Sequence, residues 1–177
     1  GKQVRLEIIG ENTQVDRDIL DRLEAPLAHL LRNAVDHGCE FPNERLRAGK
    51  EPEAVIRLEA RHSAGMLQVI VSDDGTGLDT NRVRNVIADR KLTTPAIADK
   101  MNDGELLQFL FLPGFSLKDT VTEISGRGVG LDVVQNMAKS VRGSVRVSTQ
   151  PGRGMRFQMQ LPLTLSVLRT LLVEIGG

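Results

Sequence analysis

The sequence has no tryptophan and no tyrosine, and a single cysteine, Cys39, among its 177 residues. One thiol excludes an internal disulfide and makes a reducing compartment the simpler setting. Neither sign of charge is in excess: Lys and Arg number 23, Asp and Glu 23. No global basic field exists to attract nucleic acid or anionic lipid, so neither is expected as a partner. Long apolar runs are also missing. The longest, Leu161 to Ile175, is broken by Pro162 and Arg169, which makes it a poor membrane span. No signal peptide opens the chain, and no internal repeat or low-complexity tract interrupts it. These absences predict a cytoplasmic protein without membrane insertion. The sequence opens without Met and stops on Val173-Glu174-Ile175-Gly176-Gly177, which reads as a fragment carrying a stub of a following domain.

What is present suits one soluble domain with one core: 40% hydrophobic and 26% charged residues over this length. Val4, Leu6 and Ile8 alternate with Arg5 and Glu7, predicting a first strand, with a short second one near Thr13–Val15. Asp16 is placed to cap a helix from Arg17 to His37, stopped by Gly38 and kinked or divided by Pro26. A short helix is expected near Asn43–Ala48. Strands Val55–Arg61 and Leu67–Ser72 follow, then a helix over Thr80–Asp89. Lys91 to Arg127 is long and mixed, with a helical piece around Gly104–Phe111. A connection of that length reads as a functional lid. Val129–Val141 reads as a helix opened by glycines, and Ser144–Thr149 with Met155–Leu161 as a hairpin. The order predicts an α/β layered fold, with helices on one face of a mixed sheet.

Four segments carry candidate chemistry. In His29-Leu30-Leu31-Arg32-Asn33-Ala34-Val35-Asp36-His37-Gly38, helical spacing puts His29, Asn33 and His37 on one edge, flanked by Arg32 and Asp36. The bland alternative is a solvated polar face, but an Asn oxygen is a hard ligand suited to Mg²⁺ and a His one turn away suits proton transfer. Asp74-Gly75-Thr76-Gly77 follows a strand. Alone it reads as an ordinary turn, yet a carboxylate there can accept from the exocyclic amine of adenine. Gly126, Gly128 and Gly130 alternate at the opening of a helix, where amides and the helix dipole favour an anion. The spacing fits neither the Rossmann fingerprint nor a P-loop. Finally, three of the five phenylalanines fall within Phe109–Phe115, a cluster suited to pinning a lid.

In this order and register, the four segments resemble the GHKL ATPase superfamily of histidine kinases, gyrase-type topoisomerases, Hsp90 and MutL. The wording HLLRNAVDHG, DDGTGLD, FLFLPGFS and SGRGVGLDVV is similar to the CheA class of chemotaxis histidine kinases. The resemblance covers about residues 1–162 as a histidine kinase catalytic and ATP-binding domain. It makes 163–177 a linker and the start of a truncated CheW-like regulatory domain. It implies the Bergerat two-layer α/β sandwich with an ATP lid, and ATP with Mg²⁺ as ligands.

It also implies residue roles. Asn33 would hold the Mg²⁺, and His29 would be the general base or an orienting group. His37 and Asp36 would lie near the phosphates, with Arg32 a further phosphate contact. Asp74 would bond the adenine amine, with Gly75 and Gly77 shaping its pocket. Gly126, Gly128 and Gly130 would line the triphosphate, and Gly154 belongs to the last glycine box. There the family usually continues with Thr, where this chain has Met155. A missing hydroxyl implies nucleotide binding weaker by about 1 kcal/mol.

The chain holds only His29, His37 and His62 and no His-Glu phosphoacceptor box. The resemblance therefore implies a phosphoacceptor histidine domain elsewhere, with a CheW-like adaptor, chemoreceptors and a response regulator as further partners. Two competing readings are an ATP-hydrolysing conformational clamp and an ATP-binding scaffold with little kinase activity.

Overall fold

The computed structural model describes residues 1–117 and 130–165. The alternating N-terminal residues form β1 (Val4–Ile9) at one edge of a five-stranded sheet. It pairs in parallel with β2 (Ala54–Ser63), Val4 opposite Ala54. β2 runs antiparallel to β3 (Met66–Asp73), which is followed in the sheet by β5 (Gly154–Pro162) and then β4 (Ser144–Gln150), both pairings antiparallel. One parallel pair and three antiparallel pairs make the sheet mixed.

Period-two alternation sorts the strands by face. Ala54 and Ile56, Leu67, Val69 and Val71, Val145 and Val147, and Phe157, Met159 and Leu161 are buried on one side. Three helical elements cover that side and share its core: α1 (Arg17–Asn33) through Ile19, Leu23 and Leu30; α6 (Asp132–Ser140) through Val134, Met137 and Ala138; and α5 (Asp103–Gln108) with the 3₁₀ turn Phe109–Phe111. The result is the expected two-layer α/β sandwich.

A smaller cluster joins α3 (Thr80–Asp89), through Val83 and Ile87, to Leu106. Phe109 and Phe115 pack on this cluster, whereas Phe111 meets Phe157 edge-on in the main core, ring centroids 6.4 Å apart. The phenylalanine segment is thus an anchor, as its composition suggests. Among the described residues no helix is long and apolar enough to cross a membrane.

Local readings differ at four places. Thr13–Val15 is not a strand: the Thr13 amide donates to the Gly10 carbonyl and its hydroxyl to Ala60, closing a turn instead. Pro26 does not divide α1; its ring is buried and packing retains the helix despite one lost N–H bond. The helix does not run regularly to His37, because Ala34–Gly38 forms a single π turn closed by Cys39 N–H to the Ala34 carbonyl, 2.8 Å. A short helix, α4 (Pro95–Ala98), capped by Thr94, lies within the connection read as irregular. The short polar helix near residue 43 is α2 (Pro42–Arg47).

Candidate functional site

The last turns of α1 present the polar edge. Asn33 Nδ2 lies 3.1 Å from His29 Nε2, one turn back. An amide N–H only donates, so the imidazole must accept at Nε2 and carry its proton on Nδ1. Burial, together with the neighbouring Arg32 charge, holds the His29 pKa below its ordinary value, while Asp132 pulls it up less strongly. Both lowering influences favour the neutral ring that this contact needs. With its NH₂ group so fixed, the Asn33 side-chain oxygen is left for an outside ligand. Arg32, Asp36 and His37 are exposed along the same edge. The π turn widens the edge beyond Asn33, so His37 does not stack one regular turn above it.

α6 runs antiparallel to α1. Arg22 donates to Ser140 at the end of α6, whereas Asp132, at its start, is close enough to His29 to act on its charge. The start of α6 therefore lies beside His29 and Asn33. Gly130 is there, its amide donating to Asp132 Oδ1 at 3.0 Å. Gly126 and Gly128 lie outside the described residues.

The second half of the site is the end of β3. The Asp74 carboxylate is committed to Arg45 through two contacts, Nη1–Oδ1 3.1 Å and Nη2–Oδ2 2.9 Å, and accepts the Val55 amide at 3.0 Å. Its preceding neighbour, Asp73, continues the inward parity of Val69 and Val71 and is walled by glycines. Its carboxyl accepts the Gly75 amide at 2.9 Å and a Met155 amide. A Cβ on Gly38 would come within 3.1 Å of it, and one on Gly154, whose φ is +100°, within 1.9 Å of the Asp73 carbonyl. Gly75 passes so near the end of the π turn that a Cβ would sit 2.0 Å from the Gly38 carbonyl. Gly77 abuts the Gln150 carbonyl.

Burial raises the Asp73 pKa above its ordinary value, and the two backbone donors offset this only in part. The sequence reading singled out Asp74 and passed over Asp73; the alternation along β3 is the signal that separates the two. Cys39, beside these carboxylates, has its thiol pushed up to about 11, first by burial and then by Asp73 and Asp74, so it stays protonated and inert.

The donor set fits magnesium and a nucleotide. Among the described residues no three His, Cys, Asp or Glu side chains gather into a metal cage. A single neutral amide oxygen suits an ion that keeps phosphate and water ligands. At the other end, a carboxylate set deep between strands and glycines suits the amine edge of a base.

Asp74 is the keystone of a buried ion network. Arg45, on α2, is 1% exposed and also meets Glu40 at 3.0 Å, while Lys50 reaches Glu40 at 2.6 Å. Replacing Arg45 with Met is expected to strand Asp74 and Glu40 and destabilise the chain by about 3 kcal/mol, the low end for a broken buried pair because Asp74 is 43% exposed. A thermal melt checks this, with the midpoint expected to fall by roughly 6–12 °C.

Comparison with known proteins supplies three findings. The family described as "Histidine kinase-, DNA gyrase B-, and HSP90-like ATPase" matches residues 20–165. The chain is 44% identical over 177 residues to the chemotaxis protein CheA of Rhizobium meliloti, covering 100% of this chain and 23% of that protein. It is 42% identical over 174 residues to CheA of Bacillus subtilis (98% and 26%) and 41% identical over 176 residues to a gliding motility regulatory protein of Myxococcus xanthus (99% and 23%). The chain thus spans about a quarter of the length of these relatives. Among solved structures, full-length ShkA in complex with AMPPNP superposes with a TM-score of 0.54 at 17% identity, covering 93% of this chain and 26% of that one. A blue-light activated histidine kinase of Erythrobacter litoralis gives 0.54 at 16%, covering 92% and 36%. At those identities the superpositions speak for the fold alone.

Proposed function

The chain belongs to the histidine kinase-, DNA gyrase B- and HSP90-like ATPase family, and from that premise we propose that it is the catalytic, ATP-binding part of a chemotaxis-type histidine kinase. It would move the γ-phosphoryl group of ATP to a histidine outside this chain. The observation that carries the reading is the two-ended site: a fixed amide oxygen at Asn33 beside the start of α6, and the glycine-walled Asp73 at the end of β3. The two ends are joined through Gly38, whose carbonyl accepts the Thr76 amide at 2.9 Å.

In the transfer the bond between the γ-phosphorus and the ADP oxygen breaks and a phosphorus–imidazole nitrogen bond forms. Such transfer depends on alignment and charge neutralisation more than on covalent help. Magnesium, when bound, supplies that neutralisation, and Asn33 is the residue that would hold it. His29 acts here as an orienting group, because its Nε2 is engaged by Asn33. Asp73 would accept the adenine amine and fix the far end of the nucleotide. The amides at the start of α6 would face the phosphates.

None of the three histidines is placed as the acceptor: His29 and His37 belong to the site edge, and His62 Nε2 is bonded to the Gln14 carbonyl at 2.8 Å. The acceptor domain is then a separate module. The names of the relatives support a chemotaxis-type setting, and within that reading the partners would be a CheW-like adaptor, chemoreceptors and a response regulator, in the cytoplasm.

Incubation with labelled ATP, magnesium and the phosphoacceptor domain of the parent protein tests this. Acid-labile, base-stable label on that domain is the expected result. Phosphate release that outruns transfer and ignores the acceptor would assign the chain to the hydrolytic clamps instead.

The Asp73 carboxyl adds a pH dependence. The adenine amine needs an ionised acceptor, and the folded pKa of Asp73 is raised, so affinity is present above that pKa and lost as pH falls through it. The loss sets in at a higher pH than an ordinary aspartate would give. Titration of ADP binding across the mildly acidic range is expected to show a steeper fall for the native chain than for Asp73→Asn.

A further inference from the structure

The turn that carries Asp73 is gripped from behind by two cations, Arg45 buried and Lys50 half-buried. Lys50 Nζ donates to the carbonyls of Asp74 and Gly75, 2.9 and 2.8 Å. Arg45 holds the Asp74 carboxylate at both oxygens and also reaches its carbonyl at 3.3 Å. Glu40 ties the cations together, accepting from Arg45 Nη1 and Lys50 Nζ. Arg45 Nε donates to the Glu51 carbonyl at 2.7 Å, anchoring the set to the chain leading into β2. Two cations and two anions balance. Burial opposes the Glu40 charge, but the Lys50 hydrogen bond and the two cationic charges overcome it and hold its pKa below the ordinary carboxylate value.

A turn in a family that binds nucleotides needs no such arrangement merely to reverse direction, since Gly75 and Gly77 suffice for that. The grip serves orientation. The Gly75 amide is the donor that sets the Asp73 carboxylate, and the Gly75 carbonyl is held by Lys50. On its other side the turn is bonded to Gly38, at the end of the edge that carries Asn33. A shift of the Asp74-Gly75 peptide therefore rotates the base acceptor and loosens its tie to the metal edge together.

We propose that Arg45 and Lys50 are positioning residues for base recognition: through the Asp74-Gly75 turn they fix the Asp73 carboxylate in the orientation that distinguishes a 6-amino from a 6-oxo purine. This rests on the reading of Asp73 as the base acceptor. Distinction between the two purines depends on a pre-set acceptor, because a carboxylate free to turn away from a 6-oxo group no longer penalises it.

The test compares dissociation constants for ADP and inosine 5′-diphosphate in the native chain and in Asp73→Asn, Lys50→Met and the charge-balanced pair Glu40→Gln with Lys50→Met. The native chain is expected to favour ADP by about tenfold or more, and Asp73→Asn to lose that preference. Both Lys50 variants are expected to lose most of it while still melting cooperatively, and Lys50→Arg to restore it in part. Should Lys50→Met fail to fold, the charge-balanced pair, which leaves the Arg45–Asp74 contact intact, is read in its place. If the Lys50 variants keep the native preference while Asp73→Asn loses it, the network is scaffolding and the proposal falls. If Asp73→Asn itself keeps the preference, the base-pocket assignment falls first.

Discussion

Replacing Asn33 with Ala is expected to lower magnesium-dependent phosphoryl transfer by about 10²–10³-fold, the usual scale for removing one group that stabilises developing charge. The fold is expected to survive. Asn33 is half-buried at the last position of α1, and its NH₂ bonds only to His29, whereas the burial that holds α1 comes from Ile19, Leu23 and Leu30. Asn33→Asp should fail for a different reason. It offers a harder oxygen to the ion, but it removes the N–H that His29 accepts and sets two acceptors against each other until the imidazole changes tautomer or takes a proton. Transfer to the phosphoacceptor domain, followed against magnesium concentration, separates the cases: Asn33→Ala should not recover at any concentration, while Asn33→Asp should bind the ion with altered dependence and still transfer slowly. Native rates in Asn33→Ala would remove the residue from the mechanism.

That prediction rests on a feature the sequence shows well. Four-residue spacing between His29 and Asn33 is enough to bring them together on any regular helix. The spacing to His37 carries no such assurance, because the π turn at Ala34–Gly38 depends on Gly38 being drawn against Asp73, a contact between distant parts of the chain. The same contrast runs through the fold. α3 begins and ends where its pattern says, since Asp79 caps it and Val83 and Ile87 give it one buried face. β3 is legible from its apolar run because it is central in the sheet. Thr13–Val15 has strand-forming residues, yet a turn closed by Thr13 on Ala60 wins, which only the folded sheet provides. Pro26 carries a strong local signal for a break and is overridden by burial.

The buried network was hidden for a related reason. Arg45 sits in a short polar helix whose composition reads as surface, with Glu44, Leu46 and Arg47 around it all exposed. Nothing local marks one arginine of that group for burial. The partner that draws it in, Asp74, is 29 positions away. The glycine boxes therefore mark the proposed nucleotide site in the sequence, while the residues that hold its turn carry no motif of their own.

Asp73→Asn is expected to weaken ADP binding by about 10–100-fold, the range for losing a charge-assisted hydrogen bond in a half-buried setting, whereas Asp74→Asn should change affinity several-fold less and stability more. The two residues are adjacent and chemically identical, so the pair isolates geometry. Asp73 lies on the inward parity of β3, between glycines, with its carboxyl set by the Gly75 and Met155 amides. Asp74 lies on the opposite parity and holds Arg45. An Asn at 73 keeps one acceptor oxygen but brings an NH₂ group that competes with the adenine amine for the same space. An Asn at 74 weakens the grip on Arg45 and reaches the base only through the turn. Calorimetric titration with ADP, alongside thermal melts of both variants, gives affinity and stability on the same material. A larger affinity loss at Asp74 than at Asp73 would reverse the assignment and return the base contact to the outer carboxylate.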